Sequence, residues 1–165
     1  MKELEFSASK IKLAAFDVDG VMTDGSITYD ENGVEDKTFN AIDGQGITNL
    51  RNSGIITAII TARNNGTVQH RAENLKFDEI HQGSKNKLET LKLILDKYGF
   101  TFEETAYMGD DLPDICILEK AGLSGCPFDA VDEVKSVAKF VSSKNGGRGA
   151  VREFCDLIVK NKKNL

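Results

Sequence analysis

Two aspartates one residue apart close an apolar run, Ile11-Lys12-Leu13-Ala14-Ala15-Phe16-Asp17-Val18-Asp19-Gly20. A second acidic cluster, Gly109-Asp110-Asp111-Leu112-Pro113-Asp114, follows another apolar run much later in the chain. Clustered carboxylates repel one another, so a site that gathers three of them calls for a hard cation, most often Mg²⁺. Each cluster alone has an ordinary explanation. Asp-x-Asp-Gly is a common turn, and Gly-Asp-Asp can cap a helix. Two further residues stand between the clusters. Thr61 ends the most apolar segment, Ile55-Ile56-Thr57-Ala58-Ile59-Ile60, and Lys87 opens a helical pattern after the break at Gly83-Ser84. Together these residues supply a nucleophile, an acid/base, a hydroxyl donor, a cation and metal ligands, the parts that phosphoryl transfer needs.

The elements that must position them alternate. Short apolar runs near 11–16, 55–60, 78–81, 105–108, 123–125 and 139–142 read as strands. Helical patterns fall near 43–53, 65–75, 85–98, 112–121, 130–136 and 149–160. Alternation of this kind predicts βαβ units and a parallel α/β sheet flanked by helices. In such sheets ligands bind beyond the carboxyl ends of the strands, and Asp17, Thr61 and Asp110 all fall there. Pro113 suits a first helical turn and Gly122 a helix stop. Residues 26–39 break the alternation: Asn32-Gly33 between two strand-like runs predicts a β-hairpin. Ile27 and Tyr29 share one face of its first arm, and a lone hairpin is marginal in water, so that face is expected to pack on something else.

A length of 165 residues predicts a single domain over 1–165 with a core of its own. No apolar run reaches the length of a membrane span, and the first residues lack the order of a signal peptide, so a cytoplasmic protein is expected. A net charge of −5 argues against a nucleic-acid partner. Cys116, Cys126 and Cys155 have no metal-ligand spacing and read as reduced thiols, with Cys116 and Cys155 on apolar helical positions. His70 and His81 have no partner at ligand spacing. The basic tail 160–165 reads as a solvated end.

From Lys10 to Ile158 the chain resembles the haloacid dehalogenase superfamily of Mg²⁺-dependent phosphatases. The likeness is greatest to the small capless branch that hydrolyses 3-deoxy-D-manno-octulosonate 8-phosphate. Phe16-Asp17-Val18-Asp19-Gly20-Val21-Met22-Thr23-Asp24-Gly25 and Gly146-Gly147-Arg148-Gly149-Ala150-Val151-Arg152-Glu153 carry that resemblance. It implies a Rossmann-like sheet without a cap domain and a sugar-acid phosphate substrate. Asp17 would be the nucleophile, forming an aspartyl-phosphate, and Asp19 the acid/base. Asp17, the backbone carbonyl of Asp19, and Asp110 would ligate Mg²⁺. Thr61 would donate to a phosphoryl oxygen and Lys87 would neutralise charge, with Lys85 a competitor on spacing. Of Asp111 and Asp114, one would orient metal-bound water and the other start a helix. Arg63, Arg71 and Arg148 are candidates for the substrate carboxylate, since arginine suits bidentate recognition of carboxylates. The resemblance further implies a homotetramer assembled through the 26–39 hairpin, with the C-terminal segment 146–165 reaching toward a neighbour's site.

Ala62 stands where the family usually has glycine, and Asn64-Asn65-Gly66-Thr67-Val68 is unlike the common version. These departures bear on the sugar rather than the reaction. A phosphatase for sialic-acid-type nonulosonate 9-phosphates is the alternative, against which arginine at positions 63 and 148 favours the eight-carbon acid. A receiver-type phospho-acceptor and an inactive assembly module are alternatives of another class. In receivers the acidic pair and the acceptor lie on different strands, whereas here Asp17 and Asp19 share one loop.

Overall fold

Six short strands lie side by side, every pairing parallel, in the computed structural model, which describes residues 2–162. Helix α1 (Lys2–Ser9) leads into β1 (Leu13–Phe16), followed by a hairpin of β2 (Thr28–Tyr29) and β3 (Glu35–Asp36). Then come α2 (Ala41–Asn52), β4 (Ile56–Ile60), α3 (Gly66–Asn74), β5 (Glu79–His81), α4 (Lys87–Tyr98) and β6 (Thr105–Met108). A 3-10 turn over Leu112–Asp114 continues as α5 (Ile115–Leu118), and β7 (Leu123–Cys126), α6 (Asp132–Val137), β8 (Phe140–Val141) and α7 (Ala150–Lys162) complete the chain. The sheet order is β5-β4-β1-β6-β7-β8. The chain builds outward from β1 on one side, then crosses to the other, so the switch point lies at β1 and its neighbours β4 and β6.

The central strands are largely apolar because both sheet faces are covered, whereas the edge strand β5 carries Glu79 and His81. Along β1, Ala14 and Phe16 face a core shared with Ile47, Leu50, Val68, Phe154 and Ile158. Leu13 and Ala15 face the opposite core, with Leu91, Ile94, Tyr107, Ile117 and Val134. Phe16 meets Phe154 edge-on at 6.4 Å, tying β1 to α7. The start of α7 is capped from α2: Asp43 Oδ2 accepts from Gly149 N at 3.2 Å and Oδ1 from Arg152 N at 2.9 Å.

Several expectations need correction. Helix α1 was not anticipated, although Leu4, Ala8 and Ile11 occupy helical spacing and join the first core. The helix expected over 112–121 is a 3-10 turn and a single α-helical turn, ending at Leu118. Gly122 does not cap it. It lies against the preceding loop, donating to Phe102 O at 2.7 Å. Cys116 is exposed rather than core, because the short α5 turns it outward; Cys126 and Cys155 are buried. The basic tail is not wholly solvated, since Lys162 Nζ donates to Ile11 O at 2.8 Å. Residues 163–165 of the expected C-terminal segment lie outside the described residues. The hairpin is present, though each strand is only two residues long, with Thr28 opposite Asp36 and Tyr29 opposite Glu35. Its loop is closed by Asp30 Oδ1, which accepts from Asn32 N and Val34 N, both at 2.8 Å.

Candidate active site

Asp17, Thr61 and Asp110 emerge just past the carboxyl ends of β1, β4 and β6, the three central strands of the sheet. They line a cavity of about 290 Å³ with Asp19, Arg63, Lys87, Asp111 and Asp114. Asp17 is fixed at both carboxylate oxygens. Oδ1 accepts from Val18 N at 2.7 Å, and Oδ2 meets Lys87 Nζ at 2.6 Å. Lys87 stands at the start of α4 and is buried, whereas Lys85 is exposed, so the lysine that reaches the carboxylates is Lys87.

Asp114 is the carboxylate that spacing left undecided. It is fully buried, and Oδ1 accepts from both Lys87 Nζ and Tyr107 OH at 2.7 Å. Its Oδ2 accepts from Asp110 N at 3.0 Å and Asp111 N at 3.3 Å, so it also shapes the loop carrying Asp110. Asp111 is exposed and caps the 3-10 turn through Leu112 N at 2.7 Å. Tyr107 was not foreseen; its place in the apolar run of β6 gave no sign that its hydroxyl would end on Asp114.

Asp17, Asp110 and Asp114 each offer an oxygen within 4.8 Å of the others. Their mutual repulsion is visible in their acidities. Burial, then the charges of Asp17 and Asp114, push Asp110 up to about 8. Burial and Asp114 raise Asp17 to about 6 against the opposing pull of Lys87. Burial opposes the charge on Lys87, but Asp17 and Asp114 outweigh it and raise its pKa. One lysine therefore does not balance three carboxylates. An all-oxygen donor set with surplus negative charge fits a hard divalent cation such as Mg²⁺ and does not fit a soft metal. The Asp19 carboxylate is not part of this cluster.

The loop bearing Asp19 is held by close backbone packing. Gly20 has φ of +79°, and a Cβ there would lie 2.0 Å from Asp110 Oδ2. Gly146 approaches the same loop from the far end of the chain, where a Cβ would fall 1.8 Å from Gly20 O. The glycines at 146 and 147 thus pack on this chain's own loop after β1, with Gly147 N donating to Val21 O at 2.9 Å.

The three arginines separate. Arg63 lines the cavity, paired with Glu35 of the hairpin and 3.4 Å from Tyr29 OH. Arg71 is outside the cavity: its guanidinium donates to Asn40 O at 3.0 Å and lies over the Phe39 ring, bracing α3 against the start of α2. Arg148 is also outside it, 3.2 Å from Asp24, on a separate polar cavity beneath the hairpin. Two unforeseen charged residues stand near Asp19. Lys37 pairs with Asp19 and, at 2.7 Å, with Glu35. Glu35 and Lys37 are two residues apart on a strand-like arm, hence on one face, and that periodicity was the available clue. Among the two histidines, His81 Nε2 lies 3.0 Å from Glu79 on the edge strand, away from the carboxylates.

Residues 78–154 match the haloacid dehalogenase-like hydrolase family. The chain is 43% identical over 152 residues to the 3-deoxy-D-manno-octulosonate 8-phosphate phosphatase KdsC of Escherichia coli K12, a stretch covering 92% of this chain and 81% of that one. It superposes on the crystal structure of 3-deoxy-D-manno-octulosonate 8-phosphate phosphatase from Moraxella catarrhalis, solved with magnesium ion, phosphate ion and KDO, with a TM-score of 0.97 and 41% identity over 99% of this chain and 94% of that one. The cobalt-bound phosphatase YrbI from Haemophilus influenzae matches with a TM-score of 0.91 and 34% identity over 95% and 92% of the two chains.

Proposed function

The chain belongs to the 3-deoxy-D-manno-octulosonate 8-phosphate phosphatases of the haloacid dehalogenase-like hydrolases, and on that basis we propose that it hydrolyses the phosphomonoester of that eight-carbon sugar acid, releasing phosphate and KDO through an aspartyl-phosphate. The observation that carries the reading is Lys87 bridging Asp17 and Asp114 beside Asp110, at the switch point of the sheet. When bound, Mg²⁺ held by Asp17, Asp110 and the main chain of Asp19, with Asp114 beside it, supplies positive charge that offsets the phosphate dianion. Asp17 attacks phosphorus; Lys87 and Val18 N set the plane of its carboxylate. Asp19 gives a proton to the departing sugar oxygen and later takes one from the attacking water. The Thr61 hydroxyl donates to a phosphoryl oxygen. Arg63, on the cavity wall, is the arginine best placed to meet the substrate carboxylate, in competition with Glu35.

Around this centre the reading extends to the assembly. The hairpin over 26–39 joins copies of the chain into a homotetramer, and Arg148 acts from the C-terminal segment rather than in its own cavity. Among the described residues no helix is long and apolar enough to cross a membrane. Three free thiols support a reducing compartment, the cytoplasm. The test is phosphate release from 3-deoxy-D-manno-octulosonate 8-phosphate with Mg²⁺, with EDTA, and in Asp17→Asn. Turnover should require the metal and fall by several orders of magnitude, roughly 10³-fold or more, in the variant. Undiminished turnover in Asp17→Asn would falsify the covalent route.

A further inference from the structure

The hairpin brings one more charged group to the reacting centre. Lys37 follows β3, eighteen residues beyond Asp19, and its side chain is 1% exposed. Its ammonium is held between Asp19 Oδ1 and Glu35 Oε1, while the second oxygen of Glu35 holds Arg63. Charges therefore alternate along the series Arg63, Glu35, Lys37, Asp19, whose two ends both line the cavity. A buried ammonium is costly unless it is paired on both sides, and here it is. Besides Lys87, the other fixed carboxylates of the site have main-chain donors: Asp17 has Val18 N, and Asp114 has Asp110 N and Asp111 N. Among the described residues the only hydrogen bond to the Asp19 carboxylate comes from Lys37.

We propose that Lys37 is a positioning residue for proton transfer: it grips one oxygen of Asp19 and leaves the other free to exchange a proton in the cavity. This rests on the acid/base reading of Asp19 given above. In the first step an Asp17 oxygen bonds to phosphorus, the bond from phosphorus to the leaving oxygen breaks, and the Asp19 proton passes to that oxygen. In the second, water bonds to phosphorus, the phosphorus–oxygen bond to Asp17 breaks and frees its carboxylate, and Asp19 takes the water proton. Lys37 transfers nothing. Its N–H serves the carboxylate and equally the carbonyl oxygen of the protonated acid, so the grip persists through both steps.

A positioning role has a signature that a merely structural role lacks. An aryl phosphate departs as a stabilised phenolate and needs little help from an acid, whereas an alkyl phosphate departs as an alkoxide and depends on it. Lys37→Met and Lys37→Arg are to be assayed with p-nitrophenyl phosphate and with 3-deoxy-D-manno-octulosonate 8-phosphate at saturating Mg²⁺. The expected result is a loss of kcat/KM, which reports the step in which the leaving group departs, roughly 10²-fold greater in Lys37→Met for the sugar-acid phosphate than for the aryl phosphate. Lys37→Arg, which keeps the charge and a donor, should recover most of it. The ratio of the two rates on one preparation is independent of the folded fraction, so partial unfolding of a variant does not blur the outcome. Equal losses of kcat/KM on both substrates, or no advantage of Arg over Met, would overturn the role of Lys37 and leave the phosphatase reading intact. A wild-type protein that releases phosphate from neither compound would overturn both.

Discussion

At the scale of single residues the site is a crowd of carboxylates around one lysine, and the metal-free protein should register that crowding. The pKa of Asp17 is raised to about 6 and that of Asp110 to about 8, both from 3.8. Between the unfolded value and these folded values the native state binds more protons than the unfolded chain, so this contribution to stability is present on the acid side and is lost as pH rises. In EDTA, the unfolding midpoint should fall from pH 5 to pH 9. With saturating Mg²⁺ the fall should shrink or vanish, because the cation replaces the protons. A midpoint in EDTA that is flat or rises across this window would contradict the crowding. The carboxylates with lowered pKa, such as Glu35 and Glu79, titrate below the window and do not confuse the sign. The places of Asp17, Thr61 and Asp110 were legible from sequence because each follows a strand end that periodicity can place, whereas spacing left Lys85 and Lys87 open and only the family resemblance chose between them. Asp111 and Asp114 were not separable, since either could begin the helix. The partners that distinguish them, Tyr107 and Lys87, come from β6 and α4, and no spacing rule joins those elements. Lys37 was hidden for a like reason, because its contact with Asp19 exists only once the hairpin folds back.

At the scale of elements, the six sheet strands fell near their expected places because a parallel sheet covered on both faces demands unbroken apolar runs, a strong local signal. The signal weakens where burial is partial. Helix α1 is short, with only Leu4, Ala8 and the following Ile11 turned inward. The 3-10 turn at Leu112–Asp114 is shaped by Asp111 and Asp114 rather than by an apolar stripe. The join between α2 and α7 belongs to the same class of hidden feature, because Asp43 caps a helix more than a hundred residues away in sequence. Asp43 is 2% exposed and its pKa is raised by burial, so it depends on those two N–H donors for its place. Asp43→Ala should therefore lower the unfolding free energy by about 1–3 kcal/mol, because two donors at the start of α7 lose their partner within the fold. Denaturant melts at constant m-value would measure the change, and a difference under about 0.5 kcal/mol would mean that water replaces the carboxylate at little cost.

At the scale of the whole molecule, the hairpin is moored to the body and still leaves apolar side chains exposed. It is moored through Arg63 to Glu35, Lys37 to Asp19, and Asn65 Nδ2 to Glu35 O at 3.0 Å. Ile27 is nonetheless 49% exposed, Tyr29 58% and Val34 58%. Two strands of two residues each do not sustain themselves in water, and three exposed apolar side chains on such a ribbon favour burial against equivalent hairpins. Closed symmetry would satisfy every copy at once, and the neighbours would wall a cavity that no cap domain covers. Ile27→Glu with Tyr29→Glu should convert the wild-type assembly, expected near four times 18.1 kDa by light scattering, into monomers. The same variant should raise KM, because neighbouring walls are lost. It should also depress the sugar-acid to aryl phosphate rate ratio, because Lys37 is held in place by the ribbon that assembly braces. A wild-type mass near 18.1 kDa with full activity would rule the tetramer out. Dissociation that leaves KM and the rate ratio untouched would mean that assembly and catalysis are independent.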